Sequence, residues 1–433
     1  MSRGIRAATA RIRAGSYLGP VAVVASNAVA PVGVVAFGWS ATALLGVFVL
    51  ELAAVLFWSA VKVPFAAKRP NNAIDEHQLL GPLQAKRGGV ELPGPLPPVY
   101  LRNVPTLVVL VVLLAPMELG AAVLVFSLPE PTLTAEITEQ ILLGGVGVFL
   151  GRGVETAADY FRDGGYRDHS ARSVVLAPFK YVFGVGTLLV VVGSSGVESE
   201  AILALMVAGK LAYDLRTIQV ERDEEKRGVF YRLYGSGETE IPATPVAEPD
   251  GEPTVRARPS RTVAVADALY RGAAYTLTST ALLFYALGAF LLVFAPSLAV
   301  FPLAVILAFG SLHATTRYLR YGTVEYRCYD GVLVTYDTLL DEPQERIERT
   351  EVADVSVETD FADRTFDTAT VEFDRRGDDG STVQFTVPDP EEVRRRDAGK
   401  PLSVVHVEEP EAIADALGVA WQFERSTGRA SAD

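Results

Sequence analysis

Runs of about twenty apolar residues recur along this 433-residue chain, and they restrict its fold more than any other feature. A helix of that length crosses a hydrocarbon core of about 30 Å while satisfying its own backbone polar groups. The apolar windows fall at 18–37, 40–63, 104–128, 136–153, 173–193, 199–218, 272–295 and 298–317, which predicts about eight spans. The fourth and sixth are interrupted by charges or glycines. Loop charge gives the orientation. The short segments on one side carry bases, such as Lys68, Arg69, Lys86, Arg162 and Arg167. The opposite loops, "PEPTLTAEITEQ" and "GSSGVESE", hold acids and no bases. Cationic loops stay on the cytoplasmic side, so both termini are expected there. The opening "MSRGIRAATARIRAGSY" reads as the basic flank of a retained signal anchor.

Charge is segregated. The tail after Tyr321 contains 27 acidic and 12 basic residues, which exceeds the net charge of −13 for the whole chain. Arg far outnumbers Lys, and Asp, Glu, Ala and Val are abundant, the balance of a protein kept in solution at very high salt and hence of a halophilic archaeon. The single cysteine, Cys328, excludes an internal disulfide, and the four histidines lack ligand spacing, so no metal and no cofactor is expected. No nucleophile–base motif and no basic patch interleaved with aromatics is present, which argues against an enzyme and against a nucleic-acid binder.

"GSGETEIPATPVAEPDGEPTVRARPSR" has little to bury and predicts a disordered linker over 221–262. Beyond Tyr321 the apolar runs give way to alternation: "GTVEYRCYDGVLVTYDT" reads as a hairpin turning at Asp330-Gly331. "TEVADVSVETDF", "TATVEFDRRGDDGSTVQFTV" and "LSVVHV" supply further strands. In "EPEAIADALGVAWQFE", Ile413, Leu417 and Trp421 recur at helical spacing on one face. A small cytoplasmic β-barrel with a capping helix is expected. "VADVSVETDFADRTFDTATVEFD", residues 352–374, resembles the bacterial pleckstrin-homology-like (PH-like) domains that follow a two-helix membrane hairpin. That resemblance implies a membrane-tethered interaction module. Arg375, Arg376 and Arg394 to Arg396 lie among acids, so docking of a protein is favoured over phosphate binding.

Four charges fall inside predicted spans: Glu51, Glu118, Lys210 and Asp214. A charge at mid-bilayer faces a partner or a cavity. Glu51, Trp58 and Lys62 share one helical stripe. Lys62 is too far along the helix to pair with Glu51 and is expected to reach for the interface. Lys210 is the expected partner of Glu51, with Asp214 competing from one turn away. Pro116 frees a backbone carbonyl that a protonated Glu118 could take. A structural polar cluster, an ion or proton pathway and a substrate pocket all remain open. Within "GGVGVFLGRG", Gly147 and Gly151 predict close helix packing.

"NAVAPVGVVAFGWSATALLGVFVLELAAVLFWSAVK" and "GKLAYDLRTIQVERDE" resemble the opening and closing signatures of a multi-pass membrane family of unknown function. That resemblance marks Asn27, Pro31, Gly38, Trp39, Glu51, Trp58, Lys62, Lys210 and Asp214 as signature positions. The expected layout is a six-span domain (1–220), the linker (221–262), a transmembrane hairpin (263–321), a PH-like domain (322–424) and a short disordered tail (425–433). Lipid bilayer is the expected environment, with a protein partner reached through the PH-like domain. The expected role is a membrane scaffold or sensor, and the alternative is a transporter using the intramembrane charges.

Overall fold

The computed structural model describes residues 29, 32–69, 80–127, 134–176, 178–179, 246–376 and 401–423. The chain divides into two compact units: residues 1–71 with 91–242, and residues 72–90 with 243–433.

In the first unit, helical residues 32–37 end at Gly38, whose φ of +60° belongs to the left-handed region that favours glycine. The next amide, Trp39 N–H, donates back to the Gly33 carbonyl at 3.1 Å. Ser40 then opens α1 (Ala41–Lys62), its hydroxyl accepting from the Ala43 amide at 3.2 Å. Gly38-Trp39-Ser40 is therefore a stop, an anchor and a start: the Trp39 ring lies buried where a Cβ on Gly33 or Gly144 would collide with it.

Helices α2 (Val104–Val109) and α3 (Ala115–Ser127) join through a π-helical turn, Leu110–Leu114. Pro116 lacks an amide donor and its ring crowds the carbonyl four residues back, so the preceding turn widens. Helix α4 (Ala135–Glu155) continues as a π-helical stretch, Thr156–Arg162, and lies along α1. Cβ atoms added at Gly144 and Gly145 would meet Val47 and Leu50, and one at Gly153 would meet Trp58. These glycines admit α1. Of the expected Gly147–Gly151 pair, Gly147 is exposed and takes no part in the α1 contact, with Val29 at 3.8 Å its nearest neighbour among the described residues.

Among the described residues three helical segments are long and apolar enough to cross a membrane: Thr42–Phe65, Ala135–Arg162 and Pro296–Tyr321. Leu101–Val112 and Ala281–Phe294 are shorter apolar helices. The expected span 199–218 and most of 18–37 and 173–193 lie outside the described residues.

In the second unit, α5 (Arg261–Tyr275) is followed by α6 (Ser279–Phe294) and α7 (Val300–Tyr321). The expected span 272–295 is thus divided. Residues 276–278 break the helix, with the Thr276 and Thr278 hydroxyls donating to the Ala273 and Tyr275 carbonyls. Gly272 and Gly310 let α5 lie close against α7.

Strands β1 (Val255–Ala257), β2 (Val324–Tyr329), β3 (Val332–Asp337) and β4 (Glu342–Glu348) form one antiparallel sheet in that order. Strands β5 (Val352–Glu358), β6 (Ala369–Arg375) and β7 (Leu402–Val407) form a second. Helix α8 (Phe361–Phe366) joins β5 to β6, and α9 (Pro410–Leu417) follows β7. Tyr326, Leu333, Ile347, Phe373, Ile413 and Leu417 belong to the shared core.

Two expectations are corrected. Residues 255–257 fall within the expected disordered linker but pair with β2, Val255 opposite Cys328. Composition hid the short alternation "VRA", which satisfies backbone groups that an open edge would expose. Trp421 does not share the face of Ile413 and Leu417: α9 ends at Gly418, φ +77°, and Trp421 is 59% exposed. The expected strand turn near 377–380 lies outside the described residues.

Candidate functional site

The stripe of Glu51, Trp58 and Lys62 on α1 addresses α4 throughout. Glu51 is 1% exposed, and its Oε1 lies 3.8 Å from Arg152 Nη2. Arg152 Nη1 donates to Glu155 Oε2 at 3.1 Å, and Lys62 Nζ lies 3.8 Å from Glu155 Oε1. Trp58 Nε1 donates to the Phe149 carbonyl at 3.0 Å. An alternating series Glu51, Arg152, Glu155, Lys62 therefore runs along the α1–α4 seam. Lys62 reaches across to α4 and over the Tyr160 ring. Arg152 and Glu155 were missed because they sit at the end of an apolar window, where charges read as its boundary. Lys210 and Asp214, like Asn27 and Pro31, lie outside the described residues.

Glu118 stands apart. It is buried on α3, and among the described residues neither carboxyl oxygen has a hydrogen-bond partner. Among the described residues no bond joins Glu118 to a carbonyl near Pro116, and the turn before that proline is π-helical. At the end of α1, Asn103 Nδ2 donates to the Val63 and Ala66 carbonyls, both at 2.9 Å, and the Tyr160 hydroxyl donates to the Lys62 carbonyl. Orphan carbonyls at a helix end require such donors, but nothing in sequence spacing pointed to Asn103.

A second buried cluster joins helices and sheet in the other unit. His406, in β7, places Nδ1 2.7 Å from Asp363 Oδ1 and Nε2 3.4 Å from Asp267 Oδ2. The second contact is an ion-pair approach without hydrogen-bond geometry. Arg271 and Arg317 donate to Asp267 at 2.9 and 2.7 Å, and Arg271 also donates to Asp360 at 2.8 Å. Asp360 and Asp363 cap α8 reciprocally, and the Thr368 and Thr370 hydroxyls donate to Asp363. Burial alone would lower the imidazole, but pairing with Asp267 and Asp363 outweighs it and raises His406 to about 9. Burial likewise opposes ionisation of Asp267, yet His406, Arg317 and Arg271 hold it well below the usual carboxylate range. Three carboxylates then face three cations.

Ligand atoms of Asp267, Asp360 and His406 lie within 4.8 Å of one another, a spacing a metal ion can use. Here both carboxylates already carry guanidinium groups, so a divalent ion would meet two fixed positive charges. The cluster acts as a joint: it fixes α5 and α7 of the hairpin to α8 and β7 of the sheet domain.

The same unit holds residues 80–90, from the loop after α1. Lys86 Nζ, buried, pairs with Asp337 and donates to the Arg320 carbonyl. Burial lowers its affinity for a proton against the pull of Asp337. Gln344 reads the backbone of Arg87 from both sides: Oε1 accepts from its amide at 2.7 Å and Nε2 donates to its carbonyl at 3.2 Å.

Comparison with known proteins accords with both parts. Residues 282–400 match a family model described as Bacterial PH domain, a match that starts inside α6 and so takes in the hairpin. That family is bacterial by description, and neither family match supports the archaeal source suggested by composition. No curated protein and no solved structure gives a significant match. A second family model covers residues 9–229, half of the chain, and with the membrane-length helices and the Gly38-Trp39 turn in place, the chain belongs to the Family of unknown function (DUF6498).

Proposed function

We propose that this is an integral membrane scaffold or sensor whose PH-like domain couples the membrane domain to a cytoplasmic or membrane partner. One observation carries the reading: the sheet domain holds residues 80–90 of the DUF6498 region through Lys86–Asp337 and the two-sided Gln344–Arg87 contact. A docking module that already reads a backbone segment from the membrane domain can register a change in that domain. The proposed layout has about eight spans with both termini cytoplasmic, as the loop charges favour. The acid-rich, lysine-poor composition supports a high-salt cytoplasm.

The test compares the full chain with a chain lacking residues 322–424, each purified from its own membranes in high salt. The scaffold role requires at least one protein retained only by the full chain. If the two preparations carry identical proteins, the role loses its basis.

A second reading, an ion or proton pathway, has one specific support: Glu118 is buried without a hydrogen-bond partner among the described residues. Such a carboxyl is a functional candidate by its environment. Glu51 favours the scaffold reading, because it lies in an ion pair 3.8 Å from Arg152. Proton flux in vesicles containing the wild type, Glu51→Gln or Glu118→Gln separates the two readings. Equal flux in all three removes the pathway.

A further inference from the structure

Helix α5 has two faces. Val263, Ala264, Asp267, Ala268 and Gly272 are buried. On the other side Val265, Leu269 and Tyr270 are exposed, Leu269 at 62%. From Val265 to Leu283, the exposed positions among the described residues are Val, Leu, Tyr, two Ala, Leu, Ser and two Leu, and the one cation there, half-exposed Arg271, is paired with Asp267 and Asp360. A water-facing helix surface carries charges, all the more in a chain whose following domain is strongly acidic. Beyond Arg271 this face shows none. Past Thr276, Thr278 and Ser279, which carry no charge, it runs through Leu277 into the exposed apolar surface of α6.

The sheet domain contributes to the same surface. Phe361 opens α8 and is 61% exposed, and its ring stacks on that of Tyr270 at 5.1 Å with an interplanar angle of 27°. The Asp267–Asp360–Asp363–His406 joint holds the two rings together from behind, through Arg271. Exposed Arg261 opens α5, and exposed Arg364 follows Phe361 by about one turn.

We propose that the outer face of α5, with Tyr270 and Phe361, lies in the headgroup layer of the bilayer and seats the PH-like domain against the membrane. The occupant is lipid because the face continues an apolar helix that already faces acyl chains. An amphipathic helix in this position buries its apolar side about 5–10 Å into the headgroup boundary, where aromatic rings concentrate. Exposed Arg261 supplies a cation at one end of this face, and Arg364, which donates to the Thr359 carbonyl, one at the other. The proposal rests on α6 being in the membrane and adds where the soluble domain sits.

Nitroxide labels on the full chain test it. Cys328 is buried, with its thiol pushed up to about 12, and stays unlabelled in place. Labels go at Leu269→Cys and Phe361→Cys, with Leu287→Cys on α6 as the lipid control and Asp330→Cys as the water control. In phosphatidylglycerol–phosphatidylcholine vesicles, sites 269 and 361 should collide with a nickel chelate severalfold less than site 330 does. Their oxygen collisions should place them at a depth between 330 and 287. If 269 and 361 match 330 while 287 reads as lipid, the membrane assignment stands and the proposal falls. If 287 itself matches water, both fall. Protection from both probes, with spin–spin broadening between copies, overturns the proposal in favour of a second copy.

Discussion

His406 Nδ1 lies 2.7 Å from Asp363 Oδ1, in a residue whose φ is +57°. A histidine in the left-handed region and sealed from water is maintained by its surroundings, here carboxylates on two different elements. Folding raises its affinity for a proton from the ordinary value near 6.5 to about 9. The resulting stabilisation is fully present below about pH 6.5 and is lost as pH rises through about 9, an effect on the order of 3 kcal/mol. Asp267 and Asp363 are depressed, so their contribution is lost only in acid, as pH falls through their lowered values. Melting of the full chain in detergent at fixed high salt should therefore drop between pH 6.5 and 9.5. His406→Asn, which tolerates the same backbone region, should melt lower at pH 6.5 and show no such drop. A wild-type melting temperature flat across this range would refute the cationic histidine.

Glycine positions on α4 should be unequal. A Cβ at Gly145 would overlap the Leu50 side chain, whereas among the described residues one at Gly147 meets only ordinary contact with Val29. Gly145→Ala is expected to destabilise the α1–α4 seam by about 1–3 kcal/mol through overpacking. Gly147→Ala should be neutral or stabilising by up to about 1 kcal/mol, since alanine is the better helix former. Thermal inactivation of the detergent-solubilised variants would show both, and equal behaviour would mean that α4 is rotated from the position described.

Buried Glu51 depends on a cation. Arg152→Gln should cost about 3–5 kcal/mol because it leaves the carboxylate less compensated, whereas Glu51→Gln/Arg152→Gln should recover part of that loss. Denaturation of the two single variants and the double variant closes the cycle. Strict additivity would mean that the 3.8 Å approach carries no coupling.

These features differ in how far the sequence reveals them. The stripe Glu51–Trp58–Lys62 follows from helical geometry, and the hairpin at Asp330-Gly331 from turn chemistry. The partners are less visible: Arg152 lies about a hundred residues from Glu51, and only the glycine contacts of α4 decide which of its faces meets α1. The His406 joint draws on four elements, of which only α8 lies within the 352–374 motif. The π-turn before Pro116 answers a local steric conflict that sequence announces, but whether a carboxyl or a wider turn relieves it depends on the neighbouring packing.

The grip on residues 80–90 gives the last expectation. Lys86 and Arg87 are both sites for a protease that cleaves after basic residues, and both are held: Lys86 by Asp337, Arg87 by its two backbone bonds to Gln344. Cleavage requires an extended, released backbone, so it reports local opening rather than global unfolding. Gln344→Ala removes the backbone bonds and leaves the buried charge pair intact, so it should speed cleavage after Arg87 severalfold without lowering the melting temperature much. Asp337→Asn strands Lys86 in a buried site with its charge less compensated, and should speed cleavage and destabilise the domain together. A cut-site map by mass spectrometry on membranes separates these outcomes. Unchanged protection at 86–87 in both variants would show that other contacts hold the segment, and the coupling role would then lose the observation that carries it.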